Sequence, residues 1–175
     1  MRWVICCCHI GHLYDCVRMR NLAQKLMKKL IRKGLKISFA ESCTGGLLSS
    51  TITSINGSSR VFEMGLVTYS NKSKTKLLNV SKKTISQFGA VSWETCFSMV
   101  NNLSKISNSQ VNVSITGIAG PKGGSKKKPV GLVFVGLKFR NKTFVNKYLF
   151  KNKSRLDFQK AVVKSVIKIL LSIIK

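Results

Sequence analysis

The stretch ISFAESCTGGLLSS, residues 37–50, joins an apolar segment to an amphipathic one through a polar turn with two glycines. The apolar residues of LKISFA are typical of a short buried strand. After the glycines, Leu47, Leu48 and Ile52 recur at helical spacing. The sequence therefore predicts a strand-to-helix junction, with Ser42 and its neighbours in the turn.

The flanking segments alternate between helix and strand patterns. Residues 20–34 have helical spacing and end at Gly34, a natural C-cap. Strands are predicted in RVFEMGLVTYS, VNVSITGIAG, GLVFVGLKF and KTFVNKYLF, with Asn141 in a hairpin between the last two. Helices are predicted in SKKTISQFG, SWETCFSMVNNLSKIS and residues 154–174, the first two capped by Ser81 and Ser92. This order predicts an α/β fold: a single-domain three-layer α/β/α sandwich with a mixed, mostly parallel sheet.

Composition permits two interpretations of the net charge of +26, which comes from 31 basic and 5 acidic residues. A strongly basic chain suggests a nucleic-acid partner. However, the basic residues comprise 24 lysines and 7 arginines spread along the chain. Specific nucleic-acid readers rely on arginine and on aromatic platforms. We therefore favour A/T-biased codons as the cause, with nucleic-acid binding as the alternative.

The sequence does not predict a transmembrane protein. No apolar run reaches the roughly 18 residues that a membrane span needs. Lys164 and Lys168 interrupt the apolar tail, which predicts an amphipathic helix packed on the core, with a membrane-surface helix as the alternative. The spacing of the six cysteines forms no disulfide framework, so we expect a reducing, cytoplasmic compartment.

The first 20 residues are interpreted as an N-terminal extension of unknown role, and residues 21–175 as the domain. Met19 is an alternative translation start. A metal site is the other interpretation, but three adjacent cysteines do not easily converge on one tetrahedral ion. The candidate ligands are Cys6, Cys7, Cys8, His9, His12 and Cys16. Outside this extension the chain has no histidine.

Two junctions are candidates for chemistry, because ligands in α/β sheets bind at the carboxyl ends of strands. SFAESCTGG holds three possible nucleophiles, Ser42, Cys43 and Thr44, although serine and threonine are also common helix caps. The glycine-rich loop 117–125 can bring backbone N–H groups close to a phosphate. It matches neither a Walker P-loop nor a Rossmann fingerprint.

Lysine is the remaining choice of general base. The domain has no histidine and few carboxylates. A lysine acts as a base when burial or nearby positive charge lowers its pKa from about 10.4, and Ser-Lys pairs are a known variant of the catalytic triad. Most of the 24 lysines must lie at the surface, and VTYSNKSK is the segment to examine, because a strand ends in Tyr69 and Lys74 lies about one turn beyond.

Five segments in order resemble one family: AESCTGGLLSS, GSSRVFEMGLVTYSNKSK, GAVSWET, TGIAGPKGGSKKKPVGLV and SRLDFQKAV. They are similar to the CinA C-terminal domain, the nicotinamide mononucleotide (NMN) deamidase family. The resemblance implies a homo-oligomeric amidohydrolase of the pyridine nucleotide cycle in NAD metabolism. Such an enzyme converts NMN and water to nicotinate mononucleotide and ammonia, and needs neither a metal nor a cofactor. The alternative is a non-catalytic nucleotide-binding relative.

The resemblance also implies site residues. The catalytic set would be Ser42, Tyr69, Lys74 and Thr116, with neutral Lys74 taking the proton of Ser42, directly or through Tyr69. The oxyanion would be held by backbone N–H groups at the helix start together with Thr116. Residues implied to bind substrate and its phosphate are Gly45, Gly46, Gly117, Gly120, Gly123, Gly124, Ser125 and Arg155.

This chain departs from the family pattern in two places. Gln159 stands where a second arginine is common, which predicts weaker phosphate binding. The loop reads SKKKPVG, where the family usually carries acidic residues, which predicts a more positive rim.

Overall fold

The computed structural model describes the backbone of residues 8–174 and the side chains of residues 17–174. The helices are α1 (Cys8–Arg32), α2 (Leu47–Thr53), α3 (Asn71–Leu78), α4 (Lys82–Phe88), α5 (Trp93–Ile106) and α6 (Arg155–Ile173). The strands are β1 (Ile37–Glu41), β2 (Phe62–Val67), β3 (Val111–Gly117), β4 (Leu132–Phe139) and β5 (Lys142–Leu149). Ser81 and Ser92 cap α4 and α5 as predicted.

The five strands form one sheet in the order β2-β1-β3-β4-β5. Strand β1 pairs parallel with β2 and β3, and β4 pairs antiparallel with β3 and β5. Four strands therefore run in one direction and β4 runs in the other, which confirms the mixed, mostly parallel sheet. Glu41 pairs with Ile115, so β1 and β3 end side by side. The residues that follow both strands therefore lie at the same edge of the sheet.

Two helical layers cover the sheet, which confirms the three-layer sandwich. The alternation of strand side chains decides which layer each residue meets. In β1, Ile37 and Phe39 pack in the core beneath α1, α2 and α6, whereas Ala40 packs with residues of α3 and α5. Within residues 8–174, none of the helices combines the length and apolar character that crossing a bilayer requires.

Two helices differ from the sequence prediction. Helix α1 begins at Cys8 rather than at residue 20, and Ile10, Leu13 and Val17 continue the helical spacing upstream. The boundary at residue 20 thus falls within a helix, and the division into extension and domain stays a prediction. The candidate metal ligands of the first 16 residues lie outside the described side chains.

Helix α3 had no predicted counterpart. Its apolar residues, Leu77 and Leu78, stand together at its end and give little helical periodicity. A capping box defines its start: the Ser70 side chain accepts from the Ser73 amide, and the Ser73 side chain accepts from the Ser70 amide. Hydrogen bonds at its N-terminus, rather than an apolar stripe, therefore define this helix.

Candidate active site

Ser42 directly follows β1 and is held against the neighbouring strand. Its amide donates to the carbonyl of Ile115 in β3 at 3.0 Å. Its side chain is 7% exposed. The turn that follows, residues 42–46, leads into α2 and carries Gly46 at a φ of 96°. The hydroxyl of Ser42 is thus fixed at the carboxyl edge of the sheet.

Glu41 caps helix α2, a role that the sequence analysis did not assign. Its buried carboxylate accepts from the amides of Gly46 at 3.2 Å, Leu48 at 3.0 Å and Ser49 at 2.8 Å. The alternative interpretation of Ser42 as the helix cap is therefore wrong, and Thr44 does not cap α2 either. A single carboxylate at the carboxyl end of a buried strand was the available sequence signal.

This cap also occupies amides that the resemblance offered to the oxyanion, because the Gly46, Leu48 and Ser49 N–H groups already donate to Glu41. In the part of the chain that the structure describes, the Cys43 and Thr44 amides have no backbone acceptor. These two N–H groups are the remaining oxyanion candidates of the turn.

Lys74 reaches Ser42 from helix α3. Its Nζ lies 3.0 Å from Ser42 Oγ, 2.7 Å from the Thr68 carbonyl and 3.4 Å from the Tyr69 carbonyl. The side chain is 1% exposed. Burial lowers the pKa of Lys74 from 10.5 to about 8, with the Cys43 thiol opposing the shift. A lysine with this pKa is partly neutral near physiological pH.

Cys43 is a poor alternative nucleophile. Burial raises the pKa of its thiol to about 12. The reactive form of cysteine is the thiolate, which is scarce at neutral pH when the pKa is this high. Of the three candidates in the turn, Ser42 is the one whose side chain has a recorded hydrogen bond with a basic side chain, within the described residues.

Arg155 joins Tyr69 to the glycine-rich loop. Its Nη2 donates to Tyr69 Oη at 2.6 Å, and its Nη1 donates to the Gly120 carbonyl at 2.9 Å. Tyr69 is 59% exposed, so its ring lies at the mouth of the site. Its backbone carbonyl, rather than its phenol, contacts Lys74. A proton relay through the phenol would require a different position of the ring.

Thr116 lies at the end of β3 and is fully buried. Its hydroxyl donates to the carbonyl of Ala90 at 2.7 Å, which ties β3 to the segment before α5. The predicted oxyanion role needs this proton, so it would require the hydroxyl to turn away from Ala90.

A pocket of about 240 Å³ brings most of the predicted site together. The predicted residues that line it are Ser42, Tyr69, Lys74, Thr116, Gly117, Gly120, Gly123 and Arg155. Cys43, named above as a possible nucleophile, lines it as well. The lining residues that the sequence did not single out are Ala90, Val91, Ile118, Ala119 and Lys122. Except for Lys122 they are apolar or carry no charge at neutral pH, so residue type gave no signal.

Four predicted site residues do not line this pocket: Gly45, Gly46, Gly124 and Ser125. Gly124 lies against Val130, where an added Cβ would come within 2.8 Å of the Val130 nitrogen. Ser125 closes the loop, because its amide donates to the Lys128 carbonyl and its hydroxyl accepts from the Lys128 amide. These contacts shape the loop from outside the pocket.

The family model of the CinA C-terminal domain matches residues 19–174. The chain belongs to the CinA C-terminal domain family. It is 50% identical to a CinA-like protein of Kosmotoga olearia, over 71% of this chain and 30% of that protein. It is 46% identical to a CinA-like protein of Endomicrobium trichonymphae, over 86% of this chain and 35% of that protein.

A solved structure supports the same assignment for the fold of this CinA-family chain. The competence/damage inducible protein CihA from Agrobacterium tumefaciens superposes with a TM-score of 0.85 at 38% identity, covering 88% of this chain and 94% of that one. The chain spans about a third of the length of the curated relatives it matches, at 30% to 36%.

Proposed function

We propose that this CinA-family chain is an amidohydrolase that deamidates NMN through a Ser42–Lys74 pair. The observation that carries the proposal is the 3.0 Å contact between Lys74 Nζ and Ser42 Oγ in a buried pocket. The same burial lowers the pKa of the lysine to about 8. A serine next to a partly neutral lysine is the arrangement that Ser-Lys hydrolases use.

The contacts around Lys74 suit a neutral amine. Its two N–H groups would donate to the carbonyls of Thr68 and Tyr69, at 2.7 and 3.4 Å. The lone pair would then face Ser42 Oγ and accept its proton. No intervening group is needed, since the nitrogen and the hydroxyl are already within hydrogen-bond distance.

The reaction would proceed in two stages. Ser42 Oγ attacks the carboxamide carbon while Lys74 takes the hydroxyl proton, and the carbonyl oxygen becomes an oxyanion. When the C–N bond breaks, Lys74 returns the proton to the leaving nitrogen, so that ammonia departs and an acyl-enzyme remains. Lys74 then takes a proton from water as the water oxygen attacks the ester carbonyl. When the C–Oγ bond breaks, Lys74 returns this proton to Ser42 Oγ, and the nicotinic acid product leaves as the carboxylate after losing its proton to solvent.

Two amides of the turn would stabilise the oxyanion. The Cys43 and Thr44 N–H groups adjoin the nucleophile and have no backbone acceptor within the described residues. Losing one donor of this kind typically costs about 10²–10³ in kcat. This assignment replaces the N–H groups of α2 that donate to Glu41.

The pocket lining also suits an anionic ligand with a flat ring. Arg155 and Lys122 are its cations besides Lys74, and no carboxylate is among the described lining residues. Arg155 is able to bind a phosphate with two parallel hydrogen bonds. Val91, Ile118 and Ala119 provide an apolar wall. We propose that the cations hold the 5′-phosphate and that this wall receives the pyridine.

The first test is ammonia release from NMN by wild type, Ser42→Ala and Ser50→Ala. Ser50 is exposed on α2 and is a matched control, because its loss removes a similar hydroxyl away from the pocket. We expect wild type and Ser50→Ala to release ammonia at equal rates. Ser42→Ala should fall by at least about 10³, because the nucleophile is gone.

Two other outcomes would contradict the proposal in different ways. Equal release by Ser42→Ala would retain the activity and move the nucleophile elsewhere. No release by folded wild type would reject the amidase, and NMN binding would then test the non-catalytic relative. Assembly as a homodimer or larger homo-oligomer and a cytoplasmic location are further proposals, the first measurable by sedimentation.

A further inference from the structure

Gln159, on helix α6, contacts the turn of residues 42–46 that carries Ser42, here called the nucleophile turn. Its Nε2 donates to the carbonyl of Cys43 at 2.8 Å. Because a carbonyl only accepts hydrogen bonds, the amide nitrogen must be the Gln159 atom that faces it. The same nitrogen lies 3.9 Å from where a Cβ on Gly45 would stand. Gln159 therefore packs directly over the turn that holds Ser42.

The Cys43 carbonyl depends on this side chain for a partner. The neighbouring carbonyls are satisfied within the turn, since Ser42 O accepts from the Gly45 amide and Thr44 O accepts from the Leu47 amide, each at 3.1 Å. Within the described residues, the hydrogen bond recorded for Cys43 O comes from Gln159. A buried carbonyl without a donor is costly, so the amide favours this orientation of the peptide group.

Holding this carbonyl also fixes the direction of an N–H group. The Cys43–Thr44 peptide is not among the cis bonds of the described chain, so its C=O and N–H point in opposite directions across a plane. When Gln159 holds the Cys43 carbonyl toward α6, the Thr44 N–H points away from α6. The Thr44 amide is one of the two that have no backbone acceptor.

Helix α6 is anchored in the core and can therefore hold such a contact in place. Phe158, next to Gln159, is 1% exposed, and Val162 and Val163 are fully buried in the core beneath the sheet. Arg155 and Gln159 are four residues apart and therefore share one face of the helix. That face meets the glycine-rich loop through Arg155 and the nucleophile turn through Gln159.

We infer that Gln159 is a positioning residue, whose side-chain amide holds the Cys43 carbonyl and thereby orients the Thr44 N–H toward the oxyanion formed at Ser42. This inference rests on the proposed function for its catalytic consequence. The hydrogen bond and its effect on the turn are independent of the substrate.

The test compares Gln159→Met, which keeps the length of the side chain and removes the donor, with Gln159→Arg, which keeps a donor. Gln87→Met is the matched control, because Gln87 is exposed on α4 and lies outside the pocket. We expect Gln159→Met to lower kcat for NMN by about tenfold with KM within about twofold, because the lost interaction acts in the transition state. Gln159→Arg should recover most of kcat, and Gln87→Met should match wild type.

Amide hydrogen exchange of the peptide covering residues 41–48 provides a second readout that needs no substrate. Gln159→Met should speed exchange in this peptide and not in β3 or α5. If Gln159→Met fails to fold, Gln159→Glu removes the same donor with nearly the same shape and is judged by the same exchange. Wild-type kcat together with unchanged exchange in the turn would overturn the inference.

Failure of the proposed function can be distinguished from failure of the inference about Gln159. If folded wild type releases no ammonia, the amidase proposal fails, and exchange in the turn still decides whether Gln159 holds it. Faster exchange would then support the positioning contact, and unchanged exchange would reject it.

Discussion

Lys74 shows at the residue scale how surroundings set the chemistry. Most lysines of this chain lie at the surface, whereas Lys74 is 1% exposed and has three oxygen partners. Burial disfavours the ammonium form, and the pKa falls to about 8. The resulting base is close to the pH at which it would have to work.

The lowered pKa predicts a specific pH dependence of stability. In the folded protein Lys74 loses its proton near pH 8, and in the unfolded chain near 10.5. Between these values the unfolded state binds more protons, so the free energy of unfolding gains a contribution that rises with pH. Below about pH 8 Lys74 is charged in both states, so the free energy of unfolding is lowered by the full cost of burying the ammonium group.

Urea unfolding of wild type and Lys74→Met from pH 7 to 10.5 measures this contribution. The stability of wild type relative to Lys74→Met should increase across the window, because groups common to both proteins cancel in the difference. Parallel curves would show that Lys74 is charged in the folded protein throughout.

The same group should control the rate. We expect kcat/KM for NMN to rise with pH to a plateau, with a midpoint of about 8, because the neutral amine is the active form. Lys74→Met should lose at least about 10² in kcat/KM at every pH. A wild-type profile that is flat from pH 6 to 9 would contradict the assignment of Lys74 as the base.

At the scale of the element, the short helix α3 carries Lys74 in its first turns. Ser70 and Ser73 form its capping box, and Asn79 ends it in the left-handed region at a φ of 49°. The Val80 amide donates to the Lys74 carbonyl and closes the helix end. A helix of this length depends on its caps, because few of its residues are buried.

Ser70→Ala should therefore affect both stability and activity. Loss of a serine cap costs about 1 kcal/mol in the free energy of unfolding. Because α3 places Lys74, we also expect kcat to fall by about threefold to tenfold, on the order of a 1 kcal/mol loss of positioning. Ser81→Ala is the control, because Ser81 caps α4, which does not line the pocket.

Urea unfolding and steady-state kinetics on the two variants separate these effects. Similar losses of stability with a lower kcat in Ser70→Ala alone would support the placement of Lys74 by the cap. An equal loss of kcat in both variants would indicate general destabilisation.

At the scale of the whole molecule, all three layers meet at the pocket. Ser42 and Thr116 come from the sheet edge, Lys74 from α3 on one face, and Arg155 from α6 on the other. The net charge of +26 surrounds this site with positive potential, which favours anionic ligands in general. That field does not by itself distinguish a nucleotide from DNA.

Salt dependence makes that distinction. We expect a 20-base-pair DNA duplex to bind only at low salt and to bind more weakly than about 10⁻⁶ M at physiological salt, as non-specific contacts with phosphates do. Fluorescence anisotropy from 20 to 200 mM salt measures this affinity. Submicromolar binding that persists at physiological salt would favour the nucleic-acid alternative.

Local patterns in the sequence were sufficient to predict several features of the fold and of the site. Apolar alternation and spacing placed the strands and most helices, small polar residues marked the caps at Ser81 and Ser92, and the junction after β1 placed Ser42 in a turn. The family followed from motif order. These signals depend on interactions within a few residues of one another.

The arrangement of the candidate site could not be predicted from local patterns, because its contacts join residues far apart in the chain. Lys74 meets Ser42 across 32 residues, Arg155 meets Tyr69 across 86, and Gln159 meets Cys43 across 116. Sequence position and the family resemblance named Lys74 as the candidate base, but its burial results from packing among several elements, which no local pattern predicts. Desolvation then lowers the pKa of that one amine and makes it the candidate base.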